Sequence, residues 1–354
     1  MASFVGEKFA GLAYVLGSIC TLIALLIAPS VWRRIGGYKF LLLIALLDAL
    51  SFLVLALTQS AVWAVIAFTL GFCLNILVVF SLDELLKISS KDSATGRIRG
   101  IYLLFSNLAW VLAQIVSGTI LGGYSFSAIY MIGFCFMAIF FLICFIRLRK
   151  IPDPKYDQKS PARYLRDFFR NKNLSRAYGM NMTLQFFYSW MVIYTPIYLS
   201  AHLGFSWSEL GIIFAIMLLP FCIVPFPLGR YADKIGERNL LMLSFAIASI
   251  STLSLFFISS REIFLWAFIL FMTRVGAAGI EVMCDVYFFK HIRSENDEYV
   301  GVYRSATPIA YIVGPMAAFV AFLYMPSFNF LYVILGAIML GGTYIASTIK
   351  KGDI

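Results

Sequence analysis

Charge is what this sequence has least of. Of 354 residues only 13% are charged and 2 are histidine, while 61% are hydrophobic and mean hydropathy is +0.88. A soluble domain carries about 25% charged and about 45–50% apolar residues. A soluble globule of this composition could not cover itself with polar surface, so that class is excluded. Acidic residues are scarce, 18 against 28 Lys and Arg, giving a formal net charge of +10. The excess does not indicate nucleic acid, because the basic residues fall in short loops between apolar runs, where membrane topology accounts for them. The 6 cysteines (Cys20, Cys73, Cys135, Cys144, Cys222, Cys284) all lie inside apolar runs, and no two form a Cys-x-x-Cys pair. That pattern supplies neither a metal site nor a disulfide framework. His202 and His291 sit in loops at opposite ends of spans and share no site. No Walker loop is present, which argues against direct use of ATP, and no cofactor is expected. A lipid-active enzyme would need paired carboxylates or a nucleophile with its base. The only candidate pair, Asp83-Glu84, is adjacent in sequence and so points to different faces of a helix. No pore loop or ring-forming repeat suggests a channel.

What is present is a series of eleven apolar runs, near residues 9–29, 40–59, 61–86, 100–122, 127–146, 177–201, 208–228, 240–259, 263–288, 300–324 and 328–347. Crossing a bilayer as a helix takes about 20 residues, and none of the runs alternates as a barrel strand does. The first run carries Glu7 beside Lys8 and exceeds the roughly 7–15 apolar residues of a signal peptide. The expected class is therefore an all-α integral membrane protein.

Loop charge orients it. Arg33, Arg34 and Lys39, then Lys87, Lys91, Arg97 and Arg99, ten basic residues in 147–176, and the loops after residues 228, 288 and 347 place 24 of the 28 Lys and Arg on one side. The other side has Lys8 and Arg261, and Arg274 and Arg304 lie within spans. The basic side is read as cytoplasmic. The chain's N-terminus is then extracytoplasmic and its C-terminus cytoplasmic, which requires an odd number of spans, as in a multi-pass protein of the cell membrane. Three regions follow: a five-helix bundle over 1–146, a basic linker over 147–176 and a six-helix bundle over 177–354. In the linker Ser160-Pro161 resembles a helix start. Tyr164, Leu165, Phe168 and Phe169 oppose Arg163, Arg166, Arg170 and Lys172, which predicts an amphipathic helix on the membrane surface.

The two bundles repeat each other at an offset of 200. Gly11 falls on Gly211, Ile35-Gly36 on Ile235-Gly236, Ser51 on Ser251 and Ala67-Phe68 on Ala267-Phe268. With one residue of slip, Gly100-Ile101-Tyr102 falls on Gly301-Val302-Tyr303. Such repeats mark transporters. The partner of span 177–201 would precede residue 1, so the first half is expected to be one helix short, and loop-charge parity agrees.

Residues 229–238 read Gly-Arg-Tyr-Ala-Asp-Lys-Ile-Gly-Glu-Arg. This resembles the loop signature of the major facilitator superfamily, Gly-x-x-x-Asp-(Arg/Lys)-x-Gly-x-(Arg/Lys), with Gly229, Asp233, Lys234, Gly236 and Arg238 matching. In the first half, 29–39 keeps Gly36 and Arg34, but Pro29 replaces the first glycine and Arg33 the aspartate. Residues 118–123, with Thr119 for proline, weakly echo the family's fifth-helix Gly-Pro-x-x-Gly-Gly motif. The resemblance implies two pseudo-symmetric bundles, 5 + 6 helices here and 6 + 6 in the family, with a midplane cavity and alternating access. It implies a gating role for the loop motif, Asp233 accepting bonds from a helix N-terminus in the other half near Gly100. A monomer is expected if the full chain has twelve helices.

Ionisable residues inside a membrane are costly and usually face a cavity. Arg274, Glu281 and Asp285 are spaced seven and four residues apart, on one helical stripe. Arg274 is expected to hold an anion or a partner carboxylate, and Glu281 or Asp285 a proton or a cationic group. Asp48 is a lone acid mid-span, either protonatable or paired with Arg274 or Arg304. Asn181, Gln185 and Tyr188 form a polar stripe on span 177–201, where amides and a phenol can bind a solute. Asn75 holds the corresponding place in the first half, and Arg304 with Tyr311 could complete the site. Asn107 and Gln114 are weaker candidates. The expected function is a secondary transporter of a small solute, with protons as a candidate coupling ion and lipid as its surroundings. The alternative is a non-transporting receptor or sensor on the same fold.

Overall fold

A computed structural model of the chain describes residues 7–89, 95–149, 161–225, 227–228, 236–292 and 297–349. Each of the eleven apolar runs is helical. The helices are α1 (Glu7–Ile35), α2 (Gly37–Leu57), α3 (Ala61–Ser89), α4 (Thr95–Gly123), α5 (Phe126–Arg147), α6 (Pro161–Arg170) and α7 (Lys172–Ile197). They continue with α8 (Trp207–Leu218), α9 (Pro220–Ile223), α10 (Glu237–Leu255), α11 (Ile263–Lys290), α12 (Asp297–Arg304), α13 (Ala306–Tyr324) and α14 (Phe330–Ser347). No strand occurs among the described residues. Among the described residues eight helical stretches are long and apolar enough to cross a membrane, α12 and α13 counting as one. α7 falls below that measure because its middle carries the amide stripe. It also begins at Lys172, earlier than the apolar run suggests, because the Asn171 side chain caps the backbone N–H groups of Asn173 and Leu174.

The chain forms two compact units, residues 1–106 with 120–158, and residues 107–119 with 159–354. Within the first, α1 packs on α3, and α2 on α3 and α5. Within the second, α8 packs on α11, and α10 on α11 and α14. These are the same pairings under the 200-residue offset. The loops agree in backbone as well: Gly36 caps α2 with φ 83° and ψ 150°, and Gly236 caps α10 with φ 82° and ψ 146°. A Cβ at positive φ is strained, which accounts for glycine at both positions even though the rest of the first loop has diverged. Trp32 of that loop is 1% exposed and packs on Phe40 and Phe80.

The repeat is not equally covered. In the second unit α7 lies against α11, α13 and α14. Among the described residues no helix of the first unit takes the equivalent place. α5 is correspondingly 6% buried against 39% for its counterpart α14, and α3 28% against 56% for α11. α2 and α10 are each 44% buried.

Prolines set the breaks. Pro220 cannot donate to Ile216, and Leu219 N–H bonds that carbonyl at 3.2 Å instead, separating α8 from α9. Pro225 cannot donate to the Phe221 carbonyl, and the Asn107 amide of α4 donates to it at 3.2 Å. On the same part of α4, Gly118 meets Gly211 of α8 backbone to backbone; a Cβ on Gly118 would fall 2.8 Å from the Trp207 carbonyl. Pro308 lacks the N–H for the Arg304 carbonyl, and the helix is interrupted at Ser305. Within the linker, α6 buries Phe168 completely against Tyr178, Phe288 and Tyr299, while Leu165 and Phe169 stay exposed.

Two measurements follow from these backbones. Gly36→Ala and Gly236→Ala should each cost about 1–2 kcal/mol in detergent unfolding. Gly341→Ala, inside α14 with open space around it, should instead stabilise by up to about 1 kcal/mol. Equal effects at all three sites would show that the two loop glycines do not serve turn geometry. Asn107→Ala should cost about 1 kcal/mol, and adding Pro225→Ala, which restores a backbone N–H, should recover it. An absence of rescue would uncouple the two residues.

Candidate functional site

α7 and α11 build the polar centre of the second unit. α11 turns Gly276 and Gly279 toward α10, where a Cβ on Gly276 would fall 2.6 Å from the Ser244 carbonyl. With its glycine face pressed on α10, α11 presents the opposite stripe, Arg274, Glu281 and Asp285, toward α7 and α12.

The Arg274 guanidinium lies over the rings of Phe187 (5.1 Å) and Tyr188 (5.6 Å) of α7. The Tyr188 hydroxyl donates to Glu281 Oε2 at 2.9 Å. One tyrosine thus spans both charged groups, its ring toward the arginine and its hydroxyl on the carboxylate. Tyr311 of α13 lies within electrostatic reach of Arg274 and Tyr188, and Phe221 packs edge-on against Tyr188. Arg274 is 2% exposed, whereas Glu281 remains accessible. Burying an ion costs several kcal/mol. A cation–π contact contributes about 0.5–2 kcal/mol, so the two rings do not offset the cost at Arg274. Its Nη1 has no hydrogen bond among the described residues.

One turn along, Asp285 pairs with Arg304 at 3.4 Å, with Asp285 33% and Arg304 52% exposed. Within the second unit, Arg304 thus pairs with an acid of the α11 stripe. Asn181 donates to the Tyr303 carbonyl beside the Pro308 break (3.2 Å), and Gln185 donates to Asn181 at 3.4 Å. Of the predicted amide stripe, Tyr188 joins the charged cluster, while Asn181 serves the helix break and Gln185 leans on it.

Asp48 is fully buried in the first unit. A Cβ on Gly71 would fall 3.7 Å from its Oδ1 and 3.4 Å from Ser51. The Asn75 amide is a polar neighbour, although no aligned hydrogen bond reaches either carboxyl oxygen. Asp48 and Asn75, read separately from the sequence, are thus brought together. Of the loop motif, Gly229, Asp233 and Lys234 lie outside the described residues. Gly236 makes the turn at the start of α10, and Arg238 follows it. Its neighbour Glu237, 2% exposed, pairs with Lys290 of α11.

Phe187 and Phe221 were not sequence candidates. Phe187 immediately precedes Tyr188, and its position under Arg274 depends on the rotation of α7, which no spacing in α7 alone reveals. Among the described residues no cluster of three His, Cys, Asp or Glu could hold a metal ion. An apolar groove of about 520 Å³ along Val313, Met316, Val320 and Tyr324 of α13 contains none of the charged stripe.

Comparison with known proteins agrees with this architecture. The family model described as the Major Facilitator Superfamily matches residues 4–315, with a second match over 191–350. No curated protein matches the chain. With its multiple apolar helices and a family match across nearly its whole length, the chain is a multi-pass membrane protein that belongs to the major facilitator superfamily, a family of membrane transporters.

Proposed function

We propose that the chain moves a small solute across the membrane as a secondary transporter working by alternating access, with Arg274, Tyr188 and Glu281 at its binding site and Glu281 as the coupling-proton acceptor. The observation that carries the reading is the Tyr188 bridge. A buried arginine and an accessible carboxylate on one stripe of an apolar helix are tied to a single phenol of a second helix. Membrane charges are retained where they bind or relay. The Tyr188 hydroxyl can follow a change of proton on Glu281 by switching between donating and accepting. Asp285 with Arg304 forms the next polar step along α11, and Asp48 with Asn75 is a second protonatable site in the first unit. Asn181 and Gln185 shape the wall of the site. The loop bearing Gly229, Asp233, Lys234, Gly236 and Arg238 serves as the gate, and the Lys- and Arg-rich loops face the cytoplasm.

A receptor that binds without translocating is the second reading. It is favoured by the first-half loop, where Arg33 stands in place of the motif's aspartate. Binding without flux would decide for it.

Proteoliposomes loaded with a pH-sensitive dye and challenged with a panel of sugars, amino acids and organic acids should acidify with at least one solute. Glu281→Gln should abolish the proton signal, while solute counterflow, which needs no net proton movement, continues. Tyr188→Phe keeps the ring beneath Arg274 and removes the hydroxyl, so it should shift the pH profile of uptake more than the apparent affinity. If wild-type vesicles move no panel member faster than protein-free vesicles, the transporter reading is lost. Unchanged pH dependence in Glu281→Gln would remove that residue from coupling.

A further inference from the structure

Resting on the transporter reading above, we infer that the solute carries a carboxylate, and that Arg274 receives it: the substrate is an organic monocarboxylate with an apolar body. The argument begins with an unbalanced charge. Arg274 is 2% exposed and its Nη1 has no hydrogen-bond partner among the described residues. The two acids on its own stripe are engaged elsewhere, Glu281 by the Tyr188 hydroxyl and Asp285 by Arg304. The described ion pairs join Arg261 to Glu209, Lys290 to Glu237 and Arg304 to Asp285, and none includes Arg274.

Phe187 and Tyr188 face the guanidinium without using its N–H groups. Those N–H groups match the two oxygens of a carboxylate in a fork. One cation balances one negative charge, which favours a monoanion over a phosphate dianion. The half-buried rings of Tyr188 and Phe221 supply an apolar wall for the rest of the solute, as solute sites commonly do around a few polar anchors.

The test uses the purified chain in lipid nanodiscs, with unfolding followed by tryptophan fluorescence. The probes are butyrate, benzoate and phenylacetate, their uncharged amides, and inorganic phosphate. The carboxylates should raise the wild-type midpoint in proportion to the logarithm of their concentration above saturation, and the amides should not. Arg274→Gln should lose the carboxylate shift. In anion-free buffer it should unfold no earlier than wild type, because an uncompensated buried charge has been removed. Arg274→Lys, which keeps the charge and loses the fork, should retain a reduced shift.

Early unfolding of both variants in anion-free buffer would make Arg274 half of a structural ion pair and overturn the inference. So would a shift from the amides equal to that from the carboxylates, or a shift from phosphate alone. No shift from any carboxylate also overturns it, and flux of neutral or cationic panel members would then leave the transporter reading standing. Carboxylate shifts without flux would do the reverse.

Discussion

Inside a bilayer no water is available to satisfy a peptide group, so every backbone N–H and C=O must find its partner within the protein. At Pro225 a side chain of another helix meets that constraint, and polar side chains also bond carbonyls near two other prolines. The Phe221 carbonyl, left without a donor by Pro225, is taken by Asn107, and the Tyr303 carbonyl beside the Pro308 break is taken by Asn181. Pro196 inside α7 is followed by a π-helical turn at Tyr198–His202, where Ser200 Oγ donates back to the Pro196 carbonyl. Polar side chains in an apolar sequence are thus divided between two tasks. Some repair the backbone. Tyr188 instead joins two charged groups, its ring under Arg274 and its hydroxyl on Glu281.

The division also positions the site. α11 gives up side-chain volume at Gly276 and Gly279 to lie close on α10, which fixes its rotation and directs the Arg274 stripe at α7. α7 is in turn held along its length by contacts that are not polar chemistry, among them Phe187, Trp190 and Tyr194, all within 1% of full burial. The Trp190 indole N–H donates to the Gly314 carbonyl at 2.7 Å, which ties α7 to α13. The polar stripe of α7 is therefore carried on a helix anchored on its other faces. Such anchoring holds functional groups in place before ligand arrives.

The fold was legible in the sequence because lipid imposes long apolar runs, and among the described residues each predicted run is helical, two of them in broken pieces. The 200-residue repeat was legible because glycine is the residue that tolerates the positive φ of the turn before α2 and before α10. Individual contacts were less so. The stripe of Arg274, Glu281 and Asp285 follows from helical spacing alone, but their partners do not: Tyr188 lies 93 residues from Glu281 and Arg304 lies 19 from Asp285. Asn181 and Gln185 share a stripe with Tyr188 in sequence, yet Asn181 bonds a carbonyl 122 residues away. A side chain's neighbours across a helix interface depend on the rotation of both helices, and a single sequence encodes that rotation only through packing. Asp48 and Asn75 were found as isolated polar residues, and only the packing of α2 on α3 makes them neighbours.

The hydrogen bond from Asn107 to the Phe221 carbonyl differs in kind from the bonds of the helix it serves. An α-helical backbone bond is renewed by its own neighbours, whereas this one is made by a side chain of a different helix at a point where proline has removed the local alternative. The α8–α9 joint, whose Phe221 ring touches Tyr188, is thereby tied to α4 by a side chain. The cross-helix bond and the ring contact with the phenol of the charged cluster therefore meet at one residue, Phe221.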